Sequence, residues 1–228
     1  MTAPRLTTRR GILRLASAAA VGTSVAACSG SGRGKQNHSG TTNSDTCGSI
    51  KLPYLFDSSP QAQQIARRLS AAAPSVEDQK MHERFMRLAI KLSNGNPSYP
   101  FGAVIVDHTT GEVLGQGANR SFENPMFHGE VVAINDYATR HSDTSWDRAT
   151  LYSTGEPCAM CCGALAWAGI PRVVWASSVA TIRASGIRQI DISAVEAAAR
   201  AYEVYKPELY LGGVLADEMD KRFATRVR

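Results

Sequence analysis

Once its first residues are set aside, the sequence lacks an excess of charge of either sign. Lysine and arginine number 25 against 20 aspartates and glutamates, but Arg5, Arg9, Arg10 and Arg14 fall within the first fourteen positions, and without them the balance is 21 to 20. A domain that grips a polyanion usually presents a basic surface, so this balance argues against a nucleic-acid partner and for a small substrate. Internal repeats are absent, which excludes solenoids and propellers. With 43% hydrophobic and 20% charged residues, the composition excludes a disordered, fibrous or multi-span membrane chain. Cysteine is scarce. The five residues are Cys28, Cys47 and the cluster Cys158, Cys161 and Cys162, and only the cluster has metal-ligand spacing.

The start of the chain reads as an export signal. Basic Arg5, Arg9 and Arg10 precede a small and apolar run from Gly11 to Ala27, which is too short and too rich in alanine for a membrane span. Thr7-Thr8-Arg9-Arg10-Gly11-Ile12-Leu13-Arg14 resembles a twin-arginine export motif. Val25-Ala26-Ala27-Cys28 resembles the bacterial lipoprotein box, which implies cleavage before Cys28 and lipid on its sulfur. The expected organisation is a signal peptide at 1–27, a flexible tether at 28–50 rich in Ser, Gly, Thr and Asn, a helical extension at 51–76, and one catalytic domain at 77–228. The expected location is outside the cytoplasm, anchored by Cys28 to a bacterial cell membrane.

Within the domain, helical periodicity predicts a helix over Glu77 to Leu92 with Met81, Phe85, Leu88, Ala89 and Leu92 on its inner face. Ala103 to Val106 and Glu112 to Gly117 read as a hairpin turned by Thr109-Thr110-Gly111. His128 opens a helix with Val131, Ile134 and Ala138 inward. A strand at Thr150 to Ser153 and a helix from Cys158 to Ala168 follow. Arg172 to Ala176 is a buried-type strand, Ile192 to Tyr202 a helix, Leu209 to Leu211 a short strand and Leu215 to Arg226 a terminal helix. This alternation predicts a three-layer α/β domain. Trp167, Trp175, Tyr202 and Tyr205 read as core or interface aromatics.

Cys158-Ala159-Met160-Cys161 sets two thiols three apart, so one helical turn can hold both on a single zinc. Pro157 suits the first turn of a helix and places Cys158 at its N-terminus, where the macrodipole favours the thiolate. His128 offers a third ligand from a second helix start. Three protein ligands leave a tetrahedral metal one open position for water, the arrangement of a catalytic site. Glu130 is then the natural proton carrier. Cys162, one helix position on, is expected to point away and pack.

His128-Gly129-Glu130 followed by Pro157-Cys158-Ala159-Met160-Cys161 resembles the signature of zinc nucleobase and nucleoside deaminases in the cytidine deaminase-like superfamily. Tyr99 to Val106 looks like the opening strand of the branch with guanine, fungal cytosine and tRNA adenosine deaminases. The likeness spans Met81 to Phe223. It implies a three-layer α/β/α fold around a mixed five-stranded sheet with its last two strands parallel, a Zn2+ cofactor and a dimer. It also implies that Asn119 contacts the base, with backbone around Phe101, Gly102 and Ala103 along one wall of a compact cleft. The activity it implies is hydrolytic removal of ammonia from a free nucleobase or nucleoside. A tRNA adenosine deaminase and a non-catalytic zinc-stabilised binding lipoprotein are the alternatives. The near-neutral charge opposes the first, and retention of Glu130 opposes the second.

Overall fold

A computed structural model describes residues 59–71, 73–142 and 146–227. The signal peptide, Cys28, Cys47 and the tether expected from the sequence lie outside the described residues. The described elements run α1 (Pro60–Ser70), α2 (Val76–Ser93), β1 (Gly102–Asp107), β2 (Val113–Ala118), α3 (Gly129–Arg140), β3 (Ala149–Gly155), α4 (Ala159–Ala168), β4 (Arg172–Ser177), α5 (Val179–Ala184), α6 (Ala194–Arg200), β5 (Leu209–Leu211) and α7 (Ala216–Ala224), with one 3-10 turn at Trp146–Arg148. The helix α5 escaped the sequence reading, and the helix expected over Ile192 to Tyr202 is shorter at both ends.

The five strands form one sheet in the order β2-β1-β3-β4-β5. β1 pairs antiparallel with β2 and β3, while β3–β4 and β4–β5 are parallel, which gives the mixed sheet that the motifs imply. The β1–β2 turn is fixed by Asp107, whose Oδ1 accepts from the amides of Thr109 (2.8 Å) and Thr110 (3.1 Å). Gly111 closes that turn with φ of 73°.

Strand alternation divides the core into two layers. Ala103, Ile105, Leu151, Val173 and Trp175 face one side, against Leu69 of α1, Ala133 and Tyr137 of α3, Leu165 of α4 and Ala198 of α6. Val104, Val106, Tyr152, Val174 and Ala176 face the other, against Phe85 and Met86 of α2, Ile182 of α5 and Met219 and Phe223 of α7. With both faces covered, the inner strands read as unbroken apolar runs.

Two helix faces are turned from their sequence reading. In α2 the buried residues are His82, Phe85, Met86, Ala89, Ile90 and Ser93, whereas Met81 and Leu88 are exposed. The polar His82 is not among the residues expected inward, and a hydrogen bond between its Nδ1 and the Tyr152 hydroxyl (3.0 Å) makes its burial tolerable. In α3, Gly129, Glu130, Ala133 and Tyr137 are buried and Ala138 is exposed. That face is selected by the glycines of β2. A Cβ at Gly115 would stand 2.5 Å from the Ala133 carbonyl oxygen, and one at Gly117 2.4 Å from that of Gly129, so α3 lies directly on the strand backbone.

The segment before the domain contributes α1, whose Leu69 is buried and whose Arg68 donates to the Pro207 carbonyl over 2.6 Å. Among the aromatics, Trp175 and Tyr205 are core residues, whereas Trp167 is 80% exposed.

Candidate metal centre and active site

The metal-ligand candidates sit at two helix starts. His128 (φ −68°, ψ 156°) is the N-cap of α3 and Cys158 (φ −66°, ψ 168°) the N-cap of α4. N-cap side chains usually accept a hydrogen bond from the helix, yet neither residue makes one. Both are turned instead towards each other and towards Cys161, in the first turn of α4. Pro157 was expected inside that first turn but precedes the cap, so the helix begins at Ala159. It still presents Cys158 and Cys161 on one face with the positive end of the helix dipole beside them.

The ligand atoms form a nearly regular triangle. Cys158 Sγ lies 3.5 Å from His128 Nδ1 and 3.7 Å from Cys161 Sγ, and Cys161 Sγ lies 3.7 Å from His128 Nδ1. A tetrahedral zinc with ordinary bond lengths separates two sulfur ligands by about 3.8 Å and a sulfur from a nitrogen by about 3.6 Å. The donor set and its spacing therefore fit zinc, and this is the one such group of three among the described residues. The ligating histidine nitrogen in this geometry is Nδ1.

The three ligand groups are coupled through mutual hydrogen bonds. Donation from the Cys161 thiol, then from His128, pulls Cys158 down to about 4 against the opposing effect of burial. Cys161 is pushed well up, first by that same donation and then by burial, while its bond to Cys158 raises His128. Holding a divalent metal requires Cys161 to release its proton, so affinity weakens in acid. Cys162 is buried in the core beside Leu165, and its thiol donates to the Pro157 carbonyl over 3.2 Å, so it packs away from the site as expected.

Glu130 is buried in the first turn of α3. The Ser153 hydroxyl, from β3, donates to its Oε1 over 3.1 Å. Burial, then the neighbouring Cys158 thiolate, raises its carboxyl above the ordinary carboxylate value, towards the range useful for proton transfer.

Beside the ligands opens a cleft of about 430 Å³ lined by His128, Cys158, Met160, Arg188, Gln189 and Ile190. Its far wall is the segment between α5 and α6, which sequence reasoning missed because no local signal marks residues that only the fold brings near. Ser153 was missed likewise, as an ordinary position in an apolar strand.

Asn119, Gly102 and Ala103, expected beside the substrate, are not part of this lining. Ala103 is fully buried in the core. The Gly102 amide donates to Thr154 Oγ1 (3.0 Å), and a Cβ there would stand 2.2 Å from the Ala89 carbonyl oxygen of α2. Asn119 is buried, with Oδ1 accepting from Asn96 Nδ2 (3.1 Å) and from the Ser121 amide (3.1 Å) and hydroxyl (2.9 Å). The Phe101–Gly102 peptide does abut the start of α3, since a Cβ on Gly129 would lie 3.1 Å from the Phe101 carbonyl oxygen.

Comparison with known proteins agrees with this geometry. Residues 79–177 match the cytidine and deoxycytidylate deaminase zinc-binding region. The tRNA-specific adenosine deaminase of Rickettsia felis is 32% identical over 136 residues, covering 57% of this chain and 88% of that protein. The guanine deaminase of Bacillus subtilis is 32% identical over 135 residues, covering 54% and 85%. The guanine deaminase from Nitrosomonas europaea shares the fold, with a TM-score of 0.51 at 22% identity over 62% of this chain and 81% of that one. By its zinc-ligand triangle, its mixed sheet and these relatives, the chain belongs to the cytidine and deoxycytidylate deaminase zinc-binding family.

Proposed function

We propose that the protein is a hydrolytic deaminase of a free nucleobase or nucleoside, of guanine or cytosine type. The observation that carries this reading is the triangle of His128, Cys158 and Cys161 with the buried acid Glu130 two residues from its histidine. Bound zinc would supply Lewis-acid activation of water near neutral pH. Glu130 takes a proton from the attacking water, passes it to the ring nitrogen and then assists departure of the amine. The C–N bond breaks, a carbonyl forms, and ammonia leaves. The cleft suits one ring system, with Met160 and Ile190 as apolar lining. Asn119 is retained as the base contact through its amide nitrogen, because its oxygen is engaged by Asn96 and Ser121. The Phe101–Gly102 peptide and Ala103 support the wall behind it.

The balanced charge beyond the first fourteen residues supports a small substrate. Action on tRNA adenosine is the second reading, favoured by the name of the Rickettsia felis relative. Release of ammonia by the purified zinc-loaded protein from guanine, cytosine, adenine, their nucleosides and a tRNA anticodon stem separates the two. Turnover of the stem far above every free base and nucleoside would overturn the small-substrate reading.

The proposed setting is extracytoplasmic, with twin-arginine export through Arg9 and Arg10 and a lipid anchor on Cys28. Several acyl chains on one cysteine hold firmly where a single chain does not. Cys28→Ser should release the protein from membranes, and continued tight association would refute the anchor.

A further inference from the structure

Glu156 precedes the metal loop and is 8% exposed, yet it faces neither the ligand triangle nor the cleft lining. Its carboxylate is spent on two backbone groups. Oε2 accepts from the amide of Val179 over 2.8 Å and Oε1 from the amide of Ala194 over 2.7 Å. These are the first residues of α5 and α6. The amides of the third residue of each helix are capped separately, Thr181 by the Ser178 hydroxyl and Glu196 by the Ser193 hydroxyl, each over 3.1 Å. One carboxylate therefore closes the base of the whole segment from residue 179 to residue 194.

The far side of that segment is the cleft wall. Arg188, Gln189 and Ile190 line it opposite His128, Cys158 and Met160. Apart from this carboxylate, the segment is held by the burial of Ile182 and Ile187 in the core, by the Arg226 guanidinium donating to the Ser185 carbonyl (2.7 Å), and by an exposed ion pair between Arg183 and Asp191. Glu156 is also tied to β4, since its amide donates to the Ser177 carbonyl over 2.7 Å. It stands two positions before the ligand Cys158. The two ends of the segment are thus hydrogen-bonded to the metal loop through the buried carboxylate of Glu156, and charge-assisted hydrogen bonds of this kind are short, directional and costly to lose when buried.

We propose that Glu156 is a positioning residue that fixes the Arg188-Gln189-Ile190 wall against the metal loop and so sets how tightly the cleft closes on its substrate. This rests on the deaminase reading of the site. Glutamine is isosteric but has one acceptor, so E156Q turns an NH2 group towards one of the two helix amides. Zinc should stay at one per chain in E156Q. Backbone amide exchange over 179–194 should accelerate at least tenfold while α3 and α4 keep their protection. KM for the best base should rise at least tenfold with kcat within threefold. E156D keeps the charge but reaches only one amide, so it should show the same pattern more weakly, and it carries both readouts if E156Q does not fold. Unchanged exchange over 179–194, a uniform loss of protection across the domain, or a fall in kcat at constant KM would each overturn the proposal. A wild type inactive on every base would instead refute the deaminase reading and leave the exchange measurement to judge Glu156.

Discussion

The Ser153 hydroxyl donates to Oε1 of Glu130 over 3.1 Å, a buried bond that joins the middle of the sheet to the first turn of α3. It fixes one carboxylate oxygen of the buried acid. Glu130 stands outside the His128, Cys158 and Cys161 group, so the proposed role of proton carrier does not require it as a fourth ligand.

Glu130→Gln should retain one zinc per chain and lose turnover by about a hundredfold or more, the usual weight of a positioned acid–base group. Metal analysis and an ammonia assay on the same sample check both halves. Activity equal to wild type would remove Glu130 from the reaction.

Cys161 and Cys162 are neighbours with opposite expected outcomes. Cys161→Ser should lose zinc, because it breaks the 3.7 Å triangle. Cys162→Ser should keep zinc and lose about 1–3 kcal/mol of stability, since a buried thiol that packs in the core is replaced by a more polar hydroxyl. Zinc titration with a chromogenic chelator distinguishes them, and metal loss in both variants would contradict the placement of Cys162.

Gly117→Ala should disturb the site from a distance. Its Cβ would stand 2.4 Å from the Gly129 carbonyl oxygen and 2.5 Å from the Ala133 amide nitrogen, so α3 must shift and take His128 and Glu130 with it. Overpacking of this kind costs about 1–3 kcal/mol. Both a lower melting temperature and weaker zinc affinity are expected, and wild-type values of the two would show that β2 does not seat the site.

His82 gives a pH signature to stability. Burial lowers its pKa below the ordinary 6.5, with the nearby Asp78 carboxylate partly opposing. The unfolded chain therefore binds the proton first, so this residue's contribution is complete above about pH 6.5 and is lost as pH falls below it. In denaturant titrations at a series of pH values, His82→Gln should show a shallower loss of stability below pH 6.5 than wild type. Parallel curves would dismiss the effect.

The sequence by itself determined the chemistry. His128-x-Glu130 and Cys158-x-x-Cys161 are short motifs at helix starts, and backbone geometry over a few residues fixes which atoms they can offer to a metal. The strand order could be read in outline because hairpins and buried apolar strands have their own local signals, as at Thr109-Thr110-Gly111 and Arg172 to Ala176. Only the tertiary structure decided the rest. Which face of α2 turned inward depended on a partner 70 residues away, Tyr152, that makes a buried histidine acceptable. The seating of α3 depended on two glycines in a different strand. The Arg188-Gln189-Ile190 wall and the Glu156 clamp join segments with no periodicity in common, because a hydrogen bond or a cleft wall is set by position in space, and chain separation carries no record of it.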